Sequence, residues 1–257
     1  MPATTEAARV DLFLQLLDIP YFGRRRCGFR CDSQQAALFR QAGSRIMLNC
    51  SRQSGKSIIT ALKVVHCAVW RPGSTIVVTA PVKQQTREFI RKVRNFACIA
   101  GLALSGDKFS VLFRNGSRVV GVAADEDTIR GFSSVALVVI DEAARVADDV
   151  YYSLLPMLAV SGGSLWILST PKGKRGFFYH EWAKSNSSTW VRFSVKASDC
   201  PRIPPLFLEE QKARMGSRFY AQEYDCLFVE LDRGLFDPDV VRRAFRKDVK
   251  PLTEFDF

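Results

Sequence analysis

The stretch Arg45 to Ser57 reads R-I-M-L-N-C-S-R-Q-S-G-K-S. It is an apolar strand, then a polar turn, then Gly55-Lys56-Ser57 at the start of a helix. This order suits a triphosphate. Backbone N–H groups of a turn at a helix N-terminus point at phosphate oxygens, and the helix end adds partial positive charge. Ser51, Arg52, Gln53, Ser54 and Gly55 form the cradle, Lys56 reaches the β- and γ-phosphates, and the Ser57 hydroxyl ligates Mg²⁺. The usual pattern has Gly six residues before the Lys, and here that position is Cys50. Arg52 falls beside the transferred phosphoryl group, where a guanidinium either offsets charge building on the γ-phosphate or senses its presence. The plainer alternative is a surface arginine.

A second stretch, Val135 to Ala144, reads V-A-L-V-V-I-D-E-A-A. An apolar strand ends in two adjacent carboxylates. Burying either unpaired is costly, so both belong at the strand's C-terminal edge, where ligands of open α/β sheets bind. Asp141 then binds Mg²⁺ and Glu142 polarises the attacking water as general base. Alone, the pair reads equally well as a helix cap with an acidic first turn. Lys56 and Ser57 upstream favour the catalytic reading. A third stretch, L-W-I-L-S-T-P from Leu165 to Pro171, is a buried strand ending in Ser169 and Thr170. These hydroxyls sit where a γ-phosphate sensor would couple hydrolysis to movement; otherwise they are an ordinary strand-to-loop turn.

Strands and helices alternate around these stretches. The pattern predicts strands near 45–49, 75–79, 135–140, 165–168 and 190–195. Helices are expected near 11–17, 34–41, 58–70, 82–100, 149–158 and 173–182. A hairpin is expected about Asn115-Gly116. Tyr21 to Cys31, with four arginines, reads as a basic loop. After Pro201 two short helices, 206–215 and 218–224, form a small appendage. The implied fold is α/β: a P-loop NTPase with a mainly parallel central sheet flanked by helices, an inserted β-hairpin and a small C-terminal lid subdomain. The expected divisions are an N-terminal extension (1–31), the core (32–200), the lid (201–231) and a linker (232–257).

The bulk properties agree with such a domain. The 257 residues are 47% hydrophobic, enough for one large core. Thirty-seven Lys and Arg against 26 Asp and Glu give a net charge of +11, which points to a polyanionic partner, nucleic acid first. The seven scattered cysteines and two histidines suit reduced thiols better than a disulfide framework or a zinc site. No apolar run approaches the ~20 residues of a membrane span.

The run S-R-Q-S-G-K-S at 51–57, V-V-I-D-E-A-A at 138–144 and L-S-T-P-K-G at 168–173 together resemble the large terminase subunits of tailed phages. The resemblance covers roughly residues 32–236. It implies an ATPase motor that uses ATP and Mg²⁺ to drive double-stranded DNA into a viral procapsid, within the host-cell cytoplasm. It implies a homo-oligomeric ring, with the portal protein and the small terminase subunit as partners and no membrane. It also implies an adenine-reading glutamine, which is Gln35 or its neighbour Gln34. Arg130, in T-I-R-G-F-S, matches an arginine that reaches a neighbouring subunit's ATP. Such subunits carry a C-terminal nuclease; the tail beyond 231 looks too short for one, so cleavage is not expected of this chain. A helicase-type ATPase and a scaffold that holds ATP without hydrolysing it are the competing readings.

Overall fold

The computed structural model describes residues 5–124, 131–184 and 189–230. The chain opens with α1 (Glu6–Leu17), α2 (Ile19–Arg26) and α3 (Ser33–Phe39). Then come β1 (Arg45–Cys50), α4 (Lys56–Trp70), β2 (Thr75–Ala80) and α5 (Lys83–Ile99). The annex is β3 (Leu104–Ser105), β4 (Ser110–Phe113) and β5 (Arg118–Ala123). The second half holds β6 (Val135–Asp141), α6 (Asp148–Leu154), β7 (Ser164–Ser169), α7 (Gly176–Ala183) and β8 (Val191–Val195). The last elements are α8 (Pro205–Arg214) and α9 (Ser217–Glu223).

The eight strands form one sheet in the order β3-β4-β5-β2-β6-β7-β1-β8. All pairings from β5 to β8 are parallel; β3, β4 and β5 pair antiparallel at the far edge. Successive side chains of a strand point to opposite faces, and the core divides accordingly. Leu48, Val78, Val139 and Leu168 pack beneath α4 and α5. Met47, Val77, Val138 and Ile167 pack on the other face against Tyr151, Leu154 and Phe177 of α6 and α7. Strands buried on both faces read as unbroken apolar runs, which is why V-A-L-V-V-I shows no alternation.

Three local expectations need correction. The basic stretch from Tyr21 is not a loop at its start, since α2 runs through Arg26. Asp18 caps it by accepting from the Tyr21 N–H at 3.0 Å, and Pro20 occupies the first turn, where a missing N–H costs nothing. Its buried side holds Phe22 and Gly23; a Cβ on Gly23 would meet Leu62 at 2.8 Å. The hairpin exists, but Asn115-Gly116 is not a two-residue turn. Only Gly116 has positive φ (84°), and Phe113 N–H closes onto the Ser117 carbonyl at 2.8 Å across the three residues 114–116. Asn115 instead donates from Nδ2 to the Ala68 carbonyl at 2.8 Å, tying the hairpin to the end of α4. The helix expected over 149–158 changes to a 3-10 turn, Leu155–Leu158, because Pro156 supplies no N–H.

Candidate functional site

The phosphate-loop stretch lies where the sequence puts it. β1 ends at Cys50 and α4 begins at Lys56. Cys50 is the last strand residue and is buried, so the turn does not need glycine there. Burial pushes its thiol up to about 12, leaving a neutral, inert side chain. Glycine is required instead at Gly55, which caps α4 with φ 86°. A Cβ there would meet Gln35 Nε2 at 2.9 Å and Arg202 Nη2 at 3.2 Å.

In the sheet β7 lies between β1 and β6. The ends of these three strands therefore bring residues 50–57, 141–142 and 169–170 to one edge. Lys56 Nζ stands 3.3 Å from Glu142 Oε1. The Ser57 side chain lies beside the Asp141 carboxylate and favours its charged form. Burial raises the Asp141 pKa; the Lys56 ammonium opposes that rise, the Glu142 carboxylate adds to it, and the Ser57 side chain opposes it. A buried carboxylate with a hydroxyl beside it, in a site that penalises its charge, suits a divalent cation: the ion would offset that penalty, and oxygen donors are what Mg²⁺ takes. Glu142 adopts the left-handed conformation, φ 53°, and its N–H donates to Asp141 Oδ1 at 3.0 Å. This turn aims the two adjacent carboxylates in different directions.

Glu142 has a second cation. Arg145 Nη1 donates to Glu142 Oε2 at 2.8 Å and to Thr170 Oγ1 at 3.2 Å. The Ala144 N–H donates to Ser169 Oγ at 3.1 Å. Ser169 and Thr170, both buried, are thus bonded to the segment that follows the acidic pair.

Arg52 lines the open cleft and is also held by a C-terminal helix. Its guanidinium pairs with the Glu223 carboxylate of α9, and its N–H donates to the Glu223 carbonyl at 3.1 Å. The C-terminal segment makes further contacts with the core. Arg202 pairs with Asp32 and donates from Nη2 to the Ser54 carbonyl at 2.6 Å. Gln222 Oε1 accepts from the Gly173 N–H at 3.1 Å. Gln35 is buried; its Oε1 accepts from the Asp32 N–H at 3.2 Å, completing a capping box on α3. Gln34 and Gln35 together line a narrow cleft behind the phosphate loop, with Ser54, Lys56 and Phe193. Arg130 and the 232–257 tail lie outside the described residues.

The open cleft at the sheet edge has a volume of about 480 Å³ and is lined by Lys56, Ser57, Gln85, Lys92, Glu142 and Arg145 among others. Sequence reasoning missed Gln85, Lys92 and Arg145 here, and Arg202 and Glu223 in the C-terminal segment. Arg145 stood three residues after Glu142, and the basic face of α5 held Lys92, so spacing offered a hint for both. Gln85 carried none; its Oε1 is buried without a protein partner. The seven cysteines are all unpaired: five are buried, Cys31 is half-buried and Cys98 is exposed.

Comparison with known proteins converges on one group. The sequence profile described as terminase large subunit, T4likevirus-type, N-terminal, matches residues 47–240. The terminase large subunit of Thermus virus P23-45 is 28% identical over 174 residues, covering 59% of this chain and 36% of that protein. The chain therefore spans little more than a third of the length of that curated relative. Among solved structures, the large terminase ATPase domain of Thermus phage P74-26 superposes with a TM-score of 0.70 at 24% identity, covering 85% of this chain and 98% of that one. A large terminase of a thermophilic bacteriophage, solved in complex with ADP, superposes with a TM-score of 0.62 at 16% identity, covering 84% of this chain and 53% of that one. At these identities the superpositions establish a shared fold.

Proposed function

Because the chain belongs to the terminase large subunits of T4likevirus type, we propose that it is the ATP-hydrolysing motor part of an enzyme that packages double-stranded DNA into a procapsid. The observation that carries this reading is the convergence, at one sheet edge, of Lys56 with Glu142 and of Ser57 with Asp141.

In this reading Lys56 has two competing anions. It pairs with Glu142 in the structure; with ATP bound it would turn to the β- and γ-phosphates, which carry more charge. Glu142 is then released on Oε1 and can take the proton of the attacking water. The water oxygen bonds to the γ-phosphorus as the bond to the bridging β-oxygen breaks, giving ADP and phosphate. Ser57 and Asp141 would hold Mg²⁺, which supplies charge neutralisation at the phosphates. Gln35 or Gln34 would contact adenine from behind the loop. Arg52 must leave Glu223 to reach the γ-phosphate, so its contribution depends on the lid. Arg130, from a neighbouring subunit of a homo-oligomeric ring, would add a further cation.

The basic balance of +11 supports a grip on the DNA backbone that is independent of sequence and weakened by salt. Docking on a portal protein, delivery by a small terminase subunit and action in the host cytoplasm belong to the same proposal. No helix among the described residues is long and apolar enough to cross a membrane.

The test is phosphate release by the wild-type chain, Lys56→Ala and Glu142→Ala, with and without DNA. Wild-type turnover should exceed both variants by about 10²-fold or more. Fluorescent ATP should bind Glu142→Ala and fail to bind Lys56→Ala. Equal phosphate release in all three would leave the chain a non-hydrolysing ATP scaffold.

A further inference from the structure

Arg145 lies outside every motif that identifies the chain, yet it occupies the junction between two of them. A single nitrogen, Nη1, serves both Glu142 Oε2 and Thr170 Oγ1. Its side chain is three-quarters buried, at 24% exposure, so this is not a solvated surface pair. The strands beneath are adjacent and in register, Asp141 beside Leu168. A second bond, from the Ala144 N–H to Ser169 Oγ, fixes the backbone on either side of the guanidinium. An arginine cannot give up its proton, so it takes no part in acid–base exchange. It can only orient.

From this geometry we propose that Arg145 is a positioning residue that holds the Glu142 carboxylate against the Ser169–Thr170 turn, so that displacement of that turn re-aims the base. The role rests on the ATPase reading above. Glu142 carries two cations, Lys56 on Oε1 and Arg145 on Oε2. When Lys56 turns to the phosphates, Arg145 remains as the group that fixes the carboxylate's direction. Oε1 is then the free oxygen, and its aim depends on where Thr170 sits.

The experiment measures kcat and KM for ATP in the wild-type chain, Arg145→Ala, Arg145→Lys, Thr170→Val and the Arg145→Ala/Thr170→Val pair, with Glu142→Ala as the baseline. Equilibrium binding of a fluorescent ATP analogue and thermal unfolding are recorded for each. Arg145→Ala should lower kcat by about 10- to 100-fold, the usual cost of losing a residue that orients a reacting group. KM and analogue binding should stay within about threefold, because the Arg145 hydrogen bonds go to Glu142 and Thr170. Arg145→Lys should recover part of the rate, since one ammonium reaches one partner but lacks the planar fork. Thr170→Val should cost less, and the double variant should be no slower than Arg145→Ala alone. If Arg145→Ala fails to fold, the Arg145→Lys rate and the Thr170→Val rate decide in its place: both at the wild-type value overturn the role, and both reduced at unchanged analogue binding support it. A wild-type kcat in folded Arg145→Ala, a raised KM at unchanged kcat, or additive losses in the double variant each overturn the positioning role while leaving the ATPase intact. Wild-type turnover no higher than Glu142→Ala overturns the ATPase reading and this role together.

Discussion

Single side chains in this molecule do their work through the partner they hold. His66 is buried on α4, and its Nε2 lies 3.1 Å from the carbonyls of both Gln15 and Leu16. Two acceptors at one nitrogen select the neutral tautomer with hydrogen on Nε2. Burial, and after it the Lys63 ammonium, pull its pKa down from 6.5 to about 4. Between those values the unfolded chain binds a proton that the folded chain refuses. The stability His66 permits is therefore complete above pH 6.5 and drains away as pH falls toward 4, by up to about 3 kcal/mol. His66→Gln keeps a donor for the carbonyls and has no such proton. Acid unfolding followed by circular dichroism should show its midpoint at lower pH than wild type. The same logic of partners explains what could be read in advance. Lys56, Ser57, Asp141 and Glu142 were legible because each motif fixes residue type and spacing at one strand end. The pairing of Arg52 with Glu223, 171 positions away, has no local signature. No spacing rule reaches across a whole domain.

At the scale of elements, the arrangement rests on β7. It is the strand that separates the phosphate loop from the acidic pair, and it is buried on both faces. Leu168 pairs with Leu48 on one side and Asp141 on the other, and it is fully buried. Leu168→Ala should lower unfolding free energy by about 2–5 kcal/mol, measured by urea titration, through lost burial and the cavity left behind. Because the cavity opens directly under the site, ATP hydrolysis should fall more than bulk stability requires. The buried parallel strands were the most readable elements, since an unbroken apolar run leaves little alternative. The edges were less so. β3 is two residues long and forms only because Leu104 and Ser105 find β4 beside them. α2 was hidden by its arginines, which lie on an exposed side while Phe22 and Gly23 carry the packing. Charge density there outweighed the helix cap at Asp18.

At the scale of the whole molecule, the C-terminal segment with α8 and α9 is joined to the α/β core on both flanks of the cleft. Arg202 fastens the start of that segment to Asp32 and the phosphate loop, and Glu223 fastens its end to Arg52. Gln222, the neighbour of Glu223, binds the Gly173 N–H just beyond the Ser169–Thr170 turn. The C-terminal helices, the 50–57 turn and the Ser169–Thr170 turn are thus connected by direct contacts. Glu223→Gln weakens one joint. Arg52 is well exposed, at 62%, so the change in global stability should stay under about 1 kcal/mol. Hydrogen exchange over Ser217–Glu223 should nonetheless quicken by about threefold to fivefold as that helix opens more often. Unchanged exchange would mean that Arg202 and Gln222 alone hold the segment. The two C-terminal helices were legible from the prolines that break the chain before them; the joints were not, for the reason given for Arg52.

Among the described residues only Gln53, Ser134, Glu142 and Cys226 have a positive φ without being glycine, and two of these border the cleft. Backbone held there opposes folding by about 1–2 kcal/mol at each position. Gln53 has an exposed side chain, so Gln53→Gly removes the penalty with little else lost. Its melting temperature should rise, corresponding to a gain of up to about 1 kcal/mol. Glu142 permits no such relief under the proposed ATPase reading, in which its side chain is the general base. Selection for a sturdier protein and selection for a faster one would pull this turn in opposite directions, and the residue found at 142 records which pressure prevailed.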